Sequence, residues 1–279
     1  MLSRLEDLAE LYTIRNQLPV WQDNANRPDE PWGAVRLFLQ GYAFERQGAS
    51  PDYAVVAAEA IDDVRGEQIG KDDAAAVWAA FERRLDGEKP NYANNPLCPK
   101  DTRYVRHYLG NEKRSTVAKI SAIELAAALP QTLVAWARAE VNQECVRRAH
   151  EELCQVNGVG DKIASFFLRD VATYYGLAPR HERYLLQPVD VWVRWVARIL
   201  ADDNGMGDAE CAQFITHNAA NPERANQGMW YYCAVVCHSS RYLVTTSLRD
   251  RQRLDRLVQQ HVEELRLGAE AADRFAAIG

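Results

Sequence analysis

The chain has 279 residues, of which 47% are hydrophobic and 26% charged, and its net charge is −6. These values are typical of a soluble globular protein with one large domain or two small ones. No apolar run reaches 18 residues, so a membrane span is not expected, and the net acidity argues against a generic nucleic-acid coat. The amphipathic start lacks the apolar core of a signal peptide, so we predict a cytoplasmic protein.

The charge is unevenly distributed along the chain. Residues 101–200 carry 14 Lys and Arg against 11 Asp and Glu, a net charge of +3, so the flanking regions together carry −9. The middle of the chain is therefore the part suited to meeting a polyanion, while the acidic flanks favour solubility.

Helical periodicity dominates from the first residues. The predicted helical segments of the first half are, in chain order, LEDLAELY, GAVRLFLQGYAFER, SPDYAVVAAEAIDDVRG, DDAAAVWAAFERRL, SAIELAAALP and PQTLVAWARAEVNQECVRRAHEELC. Ser50 as N-cap and Pro51 at the first helical position form a standard helix start. The Asn- and Pro-rich stretch 89–105 is predicted as a loop, and strand alternation is weak throughout. We therefore predict an all-α fold.

A very short turn, VNGVG at 156–160, joins two of these helices. Apolar residues line one face of the helix before it and one face of the helix after it, at Val146, Ala149 and Leu153 and then at Ile163, Phe166, Phe167, Val171 and Tyr174. Gly158 and Gly160 permit a sharp turn and leave backbone N–H groups uncovered at the positive end of the second helix. Such a turn is either a plain helix connector or a phosphate site.

Lys162 lies in the first turn of the second helix, where the helix dipole disfavours an ammonium group. Destabilising the charged form makes a lysine a better amine nucleophile. The alternatives are a lysine that contacts a DNA phosphate or only solvent.

Asp190 follows in the segment QPVDVWVRWVARIL, immediately before another predicted helix. Its position after a proline is that of an N-cap, where backbone donors and the helix dipole stabilise the anion. A carboxylate held in this way can stabilise a nearby cation. Helical spacing predicts one apolar face in the helix that follows, at Trp192, Trp195, Val196, Ile199 and Leu200.

The last predicted helix has an apolar stripe on a charged background. The stripe contains Leu254, Leu257, Val258, Val262 and Leu265. This pattern favours a helix docked on the protein's own core over one that binds a partner.

Together, V-N-G-V-G-D-K-x-A and P-V-D-x-x-V resemble the helix-hairpin-helix, Gly-Pro-Asp signature of the DNA glycosylase superfamily. The common form of that signature is L-P-G-V-G-x-K-x-A followed by V-D-x-H-V. The resemblance covers Cys145 to Leu200. It implies one glycosylase unit over 1–279, with residues 145–200 as hairpin and aspartate segment, and 1–100 and 201–279 completing two helical subdomains around an active-site cleft.

The resemblance implies a bifunctional DNA glycosylase and AP lyase of base excision repair. Its partner would be double-stranded DNA with a damaged base that is flipped out of the duplex. Lys162 would attack C1′ and form a Schiff base, and Asp190 would activate the lysine and stabilise the sugar cation. We expect a monomer with no membrane association, located in the cytoplasm and on the nucleoid when bound to DNA.

The hairpin residues would grip a DNA phosphate, often with a monovalent cation, K⁺ or Na⁺, on their carbonyl groups. The residues that match this grip are Asn157, Gly158, Val159, Gly160 and Asp161. No other cofactor is expected. The aromatic stretch 227–241 and the segment after Asp190 supply candidates for stacking on the flipped base, namely Trp192, Trp230 and Tyr231. Core packing is the alternative for the aromatic stretch.

The sequence departs from the common signature in two places. Asn157 replaces the proline, which a turn tolerates, and Trp192 replaces the histidine. The segment between Lys162 and Asp190 is longer than in the endonuclease III branch, and Arg180, His181 and Arg183 could supply substrate contacts.

Comparison with branches of the superfamily points to oxidised guanine as the substrate. The hairpin segment SFFLRDVA and the long insert before PVD are both similar to features of 8-oxoguanine glycosylases. The open alternatives are a glycosylase for another modified base and a non-catalytic DNA-binding protein.

The six cysteines are scattered along the chain and are predicted as reduced, buried residues. In the region where the endonuclease III branch holds an iron–sulfur cluster, Cys211, Cys233 and Cys237 lack the required spacing. We predict no cluster and no metal ligands.

Overall fold

The computed structural model describes residues 1–44, 51–85, 95–98 and 119–276, with the side chains of 51 and 269–276 excepted. The prediction of an all-α fold is confirmed for these residues, in which the extended pairing is one isolated parallel bridge between Ile120 and Val156. The predicted cap Ser50 and most of the predicted loop 89–105 lie outside the described residues.

The α-helices of the described residues follow one another with short connections. They are α1 (Leu2–Asp7), α2 (Ala9–Tyr12), α3 (Leu18–Trp21), α4 (Pro31–Phe38), α5 (Pro51–Val64), α6 (Asp73–Arg84), α7 (Ala122–Ala128), α8 (Leu133–Asn142), α9 (Val146–Leu153), α10 (Asp161–Tyr174), α11 (Val191–Ala201), α12 (Asp208–Asn218), α13 (Pro222–Tyr231), α14 (Arg241–Leu248) and α15 (Arg251–Ala276). Shorter π-helical turns span Thr13–Gln17, Leu39–Ala43 and Tyr232–Val236, and a 3₁₀ turn spans Arg183–Leu186.

The chain divides into two compact units. Unit 1 consists of Met1–Thr13 and Val189–Gly279, and unit 2 consists of Ile14–Pro188. The predicted hairpin and aspartate segment, 145–200, is therefore split between Pro188 and Val189. Lys162 belongs to unit 2 and Asp190 to unit 1.

Helix α10 is central to the core of unit 2. Its Phe167 is fully buried and packs edge-on against Phe38 at a centroid distance of 5.0 Å and against Tyr42 at 5.3 Å. These edge-to-face contacts add to the energy of burying large apolar surfaces. The helix that carries Lys162 is thus fixed by packing along its length.

The apolar faces predicted on both sides of the hairpin are largely confirmed. Val146, Ala149, Leu153, Ile163, Phe167 and Val171 are buried, and Phe166 is partly buried. Tyr174 is the exception, with 38% of its surface exposed, and it stacks on Trp21 at 4.4 Å near the end of α10.

A buried ion pair and its hydrogen bonds further hold α10. Arg169 Nη2 lies 2.8 Å from Asp170 Oδ1, and both side chains are almost completely buried. The hydroxyl of Tyr42 donates to Asp170 Oδ2 at 3.1 Å, and Trp21 Nε1 donates to that hydroxyl at 2.7 Å. Such a network is stable only when its charges are paired and hydrogen-bonded, because each buried charge loses its hydration.

In unit 1, α1 packs unusually close to α13. A Cβ atom added to Gly228 would lie 1.7 Å from the carbonyl oxygen of Leu5. Glycine is therefore required at this point of contact between the two backbones.

The long helix α15 docks through the first half of its predicted apolar stripe. Leu254 is buried, whereas Val262 is 48% exposed, and Leu257, Val258 and Leu265 are partly buried. His261 is buried one position before Val262, so the buried face ends on a histidine that the apolar pattern did not include. In the described part of the chain, no helix is long and apolar enough to cross a membrane.

Candidate DNA-binding and catalytic site

The hairpin between α9 and α10 has the sharp turn that its glycines predict. Gly158 has a φ of +73°, the left-handed region in which glycine is favoured. Gly160 is the N-cap of α10 with extended backbone. The amide of Val159 bonds the carbonyl of Val156 at 3.0 Å, which closes the turn.

A segment outside the predicted motif holds the hairpin in place. Ile120 donates its amide to the carbonyl of Gln155 at 3.0 Å, and Asn157 donates its amide to the carbonyl of Ile120 at 2.8 Å. This pairing forms the isolated bridge between Ile120 and Val156. The turn therefore has support on one side from the strand-like residues just before α7.

Lys119 adds a positive charge to the hairpin that sequence reasoning missed. Its Nζ donates to the carbonyl oxygen of Val159 at 3.2 Å. Since this carbonyl belongs to the predicted cation site, an ammonium group already contacts part of it. Lys119 lies 40 residues before Val159, and local spacing gives no signal for a contact of that kind.

The N-terminus of α10 has no side-chain cap. Gly160 supplies none, and a Cβ atom added there would meet nothing within 4 Å. Open space beside uncovered amide groups at a helix N-terminus is suited to an approaching phosphate. Neither its φ nor its packing requires a glycine at position 160. At position 158, in contrast, the positive φ favours glycine.

Lys162 is the second residue of α10, and its side chain is exposed. The next residue, Ile163, is buried, so the backbone of this turn is anchored while the amine faces solvent. This exposure is compatible with a nucleophile, a phosphate contact or a solvated lysine.

A polar cluster lies directly behind the hairpin. Cys154 Sγ is 3.9 Å from His150 Nδ1 and 3.8 Å from Asp161 Oδ1. Burial lowers the pKa of His150, and hydrogen bonding to the carbonyl of Asp161 opposes that effect. Burial, with a further contribution from the charge of Asp161, raises the pKa of Cys154 to about 11.

Asp190 in unit 1 is the N-cap of α11, as predicted. Its Oδ1 accepts hydrogen bonds from the amides of Trp192 at 2.9 Å and Val193 at 2.8 Å. Both bonds end on the same oxygen, which leaves Oδ2 outside the cap. The pKa of the buried Cys233 is raised by burial, then by Cys237 and by the charge of Asp190.

The predicted apolar face of α11 is displaced by about one residue. Val193, Val196 and Ala197 are buried, whereas Trp192 and Trp195 are only partly buried. The indole of Trp195 instead donates to Thr245 Oγ1 at 3.3 Å, and the guanidinium of Arg241 lies 5.1 Å from its ring. The large amphipathic rings of Trp192 and Trp195 lie at the edge of the buried face, and the smaller Val193 and Ala197, which were not predicted, lie at its centre.

The candidates for base stacking have different surroundings within unit 1. Tyr231 is fully buried and its hydroxyl lies 3.0 Å from His261 Nε2, as the core-packing alternative expects. Trp230 is partly exposed and packs edge-on against Tyr12 at 5.8 Å. Trp192 is also partly exposed. The two tryptophans thus retain surface for a ligand, and stacking by any of the three stays a prediction.

The long insert after α10 is fixed by Glu144, which has a left-handed φ of +62° between α8 and α9. Its carboxylate accepts hydrogen bonds from the amides of His181 at 3.0 Å and Arg180 at 2.7 Å, which lowers the pKa of Glu144. Arg147 adds an ion pair with Glu182. The backbone is held while the side chains of Arg180 and His181 remain exposed.

The predicted site residues thus form two groups, one in each unit. Unit 2 brings together Asn157 to Lys162 at one hairpin, and unit 1 carries Asp190, Trp192, Trp230 and Tyr231. A surface pocket of about 520 Å³ in unit 2 is lined by other residues, including Asp29, Ile69 and Thr132. Comparison with known proteins found no matching family model, no matching curated protein and no matching solved structure.

Proposed function

We propose that this protein is a bifunctional DNA glycosylase and AP lyase that removes a modified base from double-stranded DNA. The observation that carries the proposal is the uncapped glycine hairpin with the exposed amine of Lys162 in the turn that follows. A phosphate bound at this helix N-terminus would bring the DNA backbone close to a candidate nucleophile.

The hairpin serves as the DNA grip in this proposal. Amide groups around Gly160, at the positive end of α10, face the phosphate. Lys119, which donates to the carbonyl of Val159, adds the charge of its ammonium group beside them. The contact is independent of base sequence, as expected of an enzyme that must search long stretches of DNA.

Lys162 supplies the covalent chemistry. Its neutral amine attacks C1′ of the flipped nucleotide, the bond from C1′ to the base breaks, and the electron pair leaves with the base. One amine proton passes to the departing base. The C1′–O4′ bond then breaks, O4′ takes up the other amine proton, and C1′ and the nitrogen form a Schiff base. Removal of a C2′ proton then expels the 3′ phosphate and cuts the strand.

Asp190 supplies negative charge for the cationic sugar. Its Oδ1 is held by two amides of α11, so the carboxylate is oriented before substrate binds. A carboxylate alone would support a glycosylase that uses water, and the added amine makes the chemistry covalent.

The first candidate substrate is 8-oxoguanine in a duplex. The resemblance of the segment at 165–172 to 8-oxoguanine glycosylases supports this choice. Partly exposed Trp192 and Trp230 are candidates for stacking on the extruded base.

A panel of duplexes tests the proposal. Each duplex carries one 8-oxoguanine, alkylated purine, uracil or abasic site, and both base release and strand cleavage are measured. We expect release and cleavage with one modified base, most strongly 8-oxoguanine. Lys162→Gln should lose both base release and strand cleavage, and Asp190→Asn should lose nearly all base release.

Lys71→Gln is the matched control, since Lys71 is an exposed lysine in the turn before α6 of the same unit. It should retain both activities. Base release that persists in Lys162→Gln would indicate a monofunctional glycosylase. Binding to every duplex without release from any would indicate the non-catalytic DNA-binding alternative and would overturn the proposal.

A further inference from the structure

Three side chains with different metal-binding chemistry meet where α9 ends and α10 begins. His150 lies in the last turn of α9, Cys154 directly follows that helix, and Asp161 is the first residue of α10. One ligand atom from each, an imidazole nitrogen, a sulfur and a carboxylate oxygen, lies within 4.8 Å of the other two.

The spacing is close to that of a tetrahedral metal site. Zinc bonds of roughly 2.3 Å to sulfur and about 2.0–2.2 Å to nitrogen or oxygen place neighbouring ligand atoms roughly 3.3–3.6 Å apart. Cys154 Sγ is 3.9 Å from His150 Nδ1 and 3.8 Å from Asp161 Oδ1. If each of these two distances shortened by a few tenths of an ångström, it would match the separation of neighbouring ligand atoms around a tetrahedral ion.

The histidine ring is oriented as in metal ligands. His150 Nε2 lies 3.3 Å from the carbonyl oxygen of Asp161 and 3.3 Å from Ser165 Oγ. A proton on Nε2 that is donated to the carbonyl leaves the lone pair of Nδ1 directed towards Cys154. A second ring nitrogen held by a backbone carbonyl is the usual support of a metal-bound histidine.

The arrangement differs from that of a cysteine nucleophile. In a catalytic triad the carboxylate orients the histidine, and the histidine contacts the nucleophile. Here the Asp161 carboxylate contacts Cys154, so the sulfur lies between the other two groups. Three ligands that converge in this way are suited to binding one ion.

The charges around the cluster are mixed. Glu151 and Asp161 place negative charge near Cys154, and Lys119 places positive charge there. Arg147 places positive charge near His150. A thiolate at Cys154 together with the Asp161 carboxylate would balance the charge of a divalent cation.

We propose that His150, Cys154 and Asp161 form a three-ligand site for a divalent cation of the zinc type. Sulfur and imidazole ligands select zinc-like metals over magnesium or calcium. Binding releases the thiol proton to solvent, and the ion links the end of α9 to the start of α10 across the hairpin. Because Asp161 is exposed and Cys154 partly exposed, a water molecule can complete the coordination.

Cobalt titration of the reduced full chain tests this site, because Co²⁺ reports thiolate ligation and tetrahedral geometry in its absorption spectrum. We expect a saturable sulfur-to-cobalt charge-transfer band, at one ion per chain, that Zn²⁺ displaces. Cys154→Ser should lose the band. Cys145→Ser should keep it, since Cys145 is also partly exposed and lies at the N-cap of α9 outside the cluster.

Thermal unfolding gives a second readout that does not depend on the cysteine variant. Zn²⁺ should raise the unfolding temperature of the wild type and of Cys145→Ser, because an ion that binds only the folded state stabilises it. The exposed Asp161→Asn variant should bind Co²⁺ at least about tenfold more weakly and show a smaller shift.

Three results would overturn the metal site: no saturable band in the wild type, a band retained in Cys154→Ser, or no effect of Zn²⁺ on unfolding. These measurements use the metal alone without DNA, so they stand apart from the test of glycosylase activity.

Discussion

Two helices that carry candidate catalytic residues begin in different ways. Helix α10 in unit 2 starts after Gly160, which offers no side-chain cap, and a lysine lies in its first turn. Helix α11 in unit 1 starts after Asp190, whose carboxylate accepts the amides of the second and third residues of the helix.

The difference shows which helix start is suited to an external anion. A helix N-terminus favours negative charge, and α11 carries its own in Asp190. Helix α10 carries Asp161 in its first turn, but its N-cap Gly160 supplies no side-chain cap and leaves space beside the first amides. In the proposed function, the phosphate therefore binds at α10, and Asp190 stabilises positive charge.

The largest effect on activity should come from Asp190→Asn, which removes the charge of the side chain but keeps its capping of α11. Asn caps a helix about as well as Asp, so Asp190→Asn should leave the unfolding temperature nearly unchanged. Loss of the carboxylate charge should slow base release by about 10²–10³-fold. Single-turnover kinetics and thermal unfolding measure the two effects, and an Asp190→Asn enzyme with wild-type release rates would contradict the role given to the carboxylate.

A pair of glycine variants separates structural from functional glycines. Gly228→Ala should destabilise unit 1 by about 1–3 kcal/mol or more, because its Cβ would lie 1.7 Å from the carbonyl oxygen of Leu5. A Cβ atom at position 160 meets nothing within 4 Å, so Gly160→Ala should change the free energy of unfolding by less than about 0.5 kcal/mol.

Gly160→Ala should nevertheless weaken duplex binding several-fold, because the new methyl group stands beside the amides of α10. Chemical denaturation and fluorescence anisotropy provide the comparison. Unchanged DNA affinity in Gly160→Ala would place the phosphate elsewhere.

Removing Lys119 should weaken the hairpin grip. Lys119→Met keeps most of the apolar stem but deletes the ammonium on the carbonyl of Val159. We expect several-fold weaker DNA binding and a smaller slope of affinity against salt, since one positive charge fewer releases fewer counterions. We also expect K⁺ to restore part of the affinity in the variant only, and equal K⁺ dependence of both proteins would show that Lys119 does not replace a bound cation.

The smallest effect should come from the clamp on the insert. Because its carboxylate accepts amides of His181 and Arg180, Glu144 has a pKa below its ordinary value of 4.5. The clamp is therefore fully present above pH 4.5 and is lost as pH falls through the lowered folded value. The amides of Arg180 and His181 should lose their protection from hydrogen exchange, corrected for intrinsic rates, as the pH falls through the pKa of Glu144 in the folded protein. In Glu144→Gln, the protection of these amides should be weaker at every pH.

The local part of this site could be predicted from the sequence. Glycine spacing located the sharp turn, and helical periodicity identified most of the buried residues on both sides of it. The position of Asp190 after a proline predicted its cap, because capping depends on neighbouring backbone groups. These features arise from interactions within a few residues.

Other features required the fold. The bond from Lys119 to Val159 joins residues 40 apart, and the cluster of His150, Cys154 and Asp161 forms only when the hairpin closes. The face of α11 was misplaced because Trp192 and Trp195 have polar edges that tolerate partial exposure, and periodicity alone gives them full apolar weight. The burial of Tyr231 likewise depends on its contact with His261 of a distant helix.

Trapping with borohydride tests the central claim most directly. Reduction of a Schiff base converts it into a stable link between protein and DNA, so the amine that attacks the sugar is marked. The account predicts a covalent adduct with a duplex containing 8-oxoguanine in the wild type and in Lys71→Gln, and none in Lys162→Gln. An adduct that survives in Lys162→Gln, or base release from a duplex with no adduct in the wild type, would contradict the assignment of Lys162 as the nucleophile.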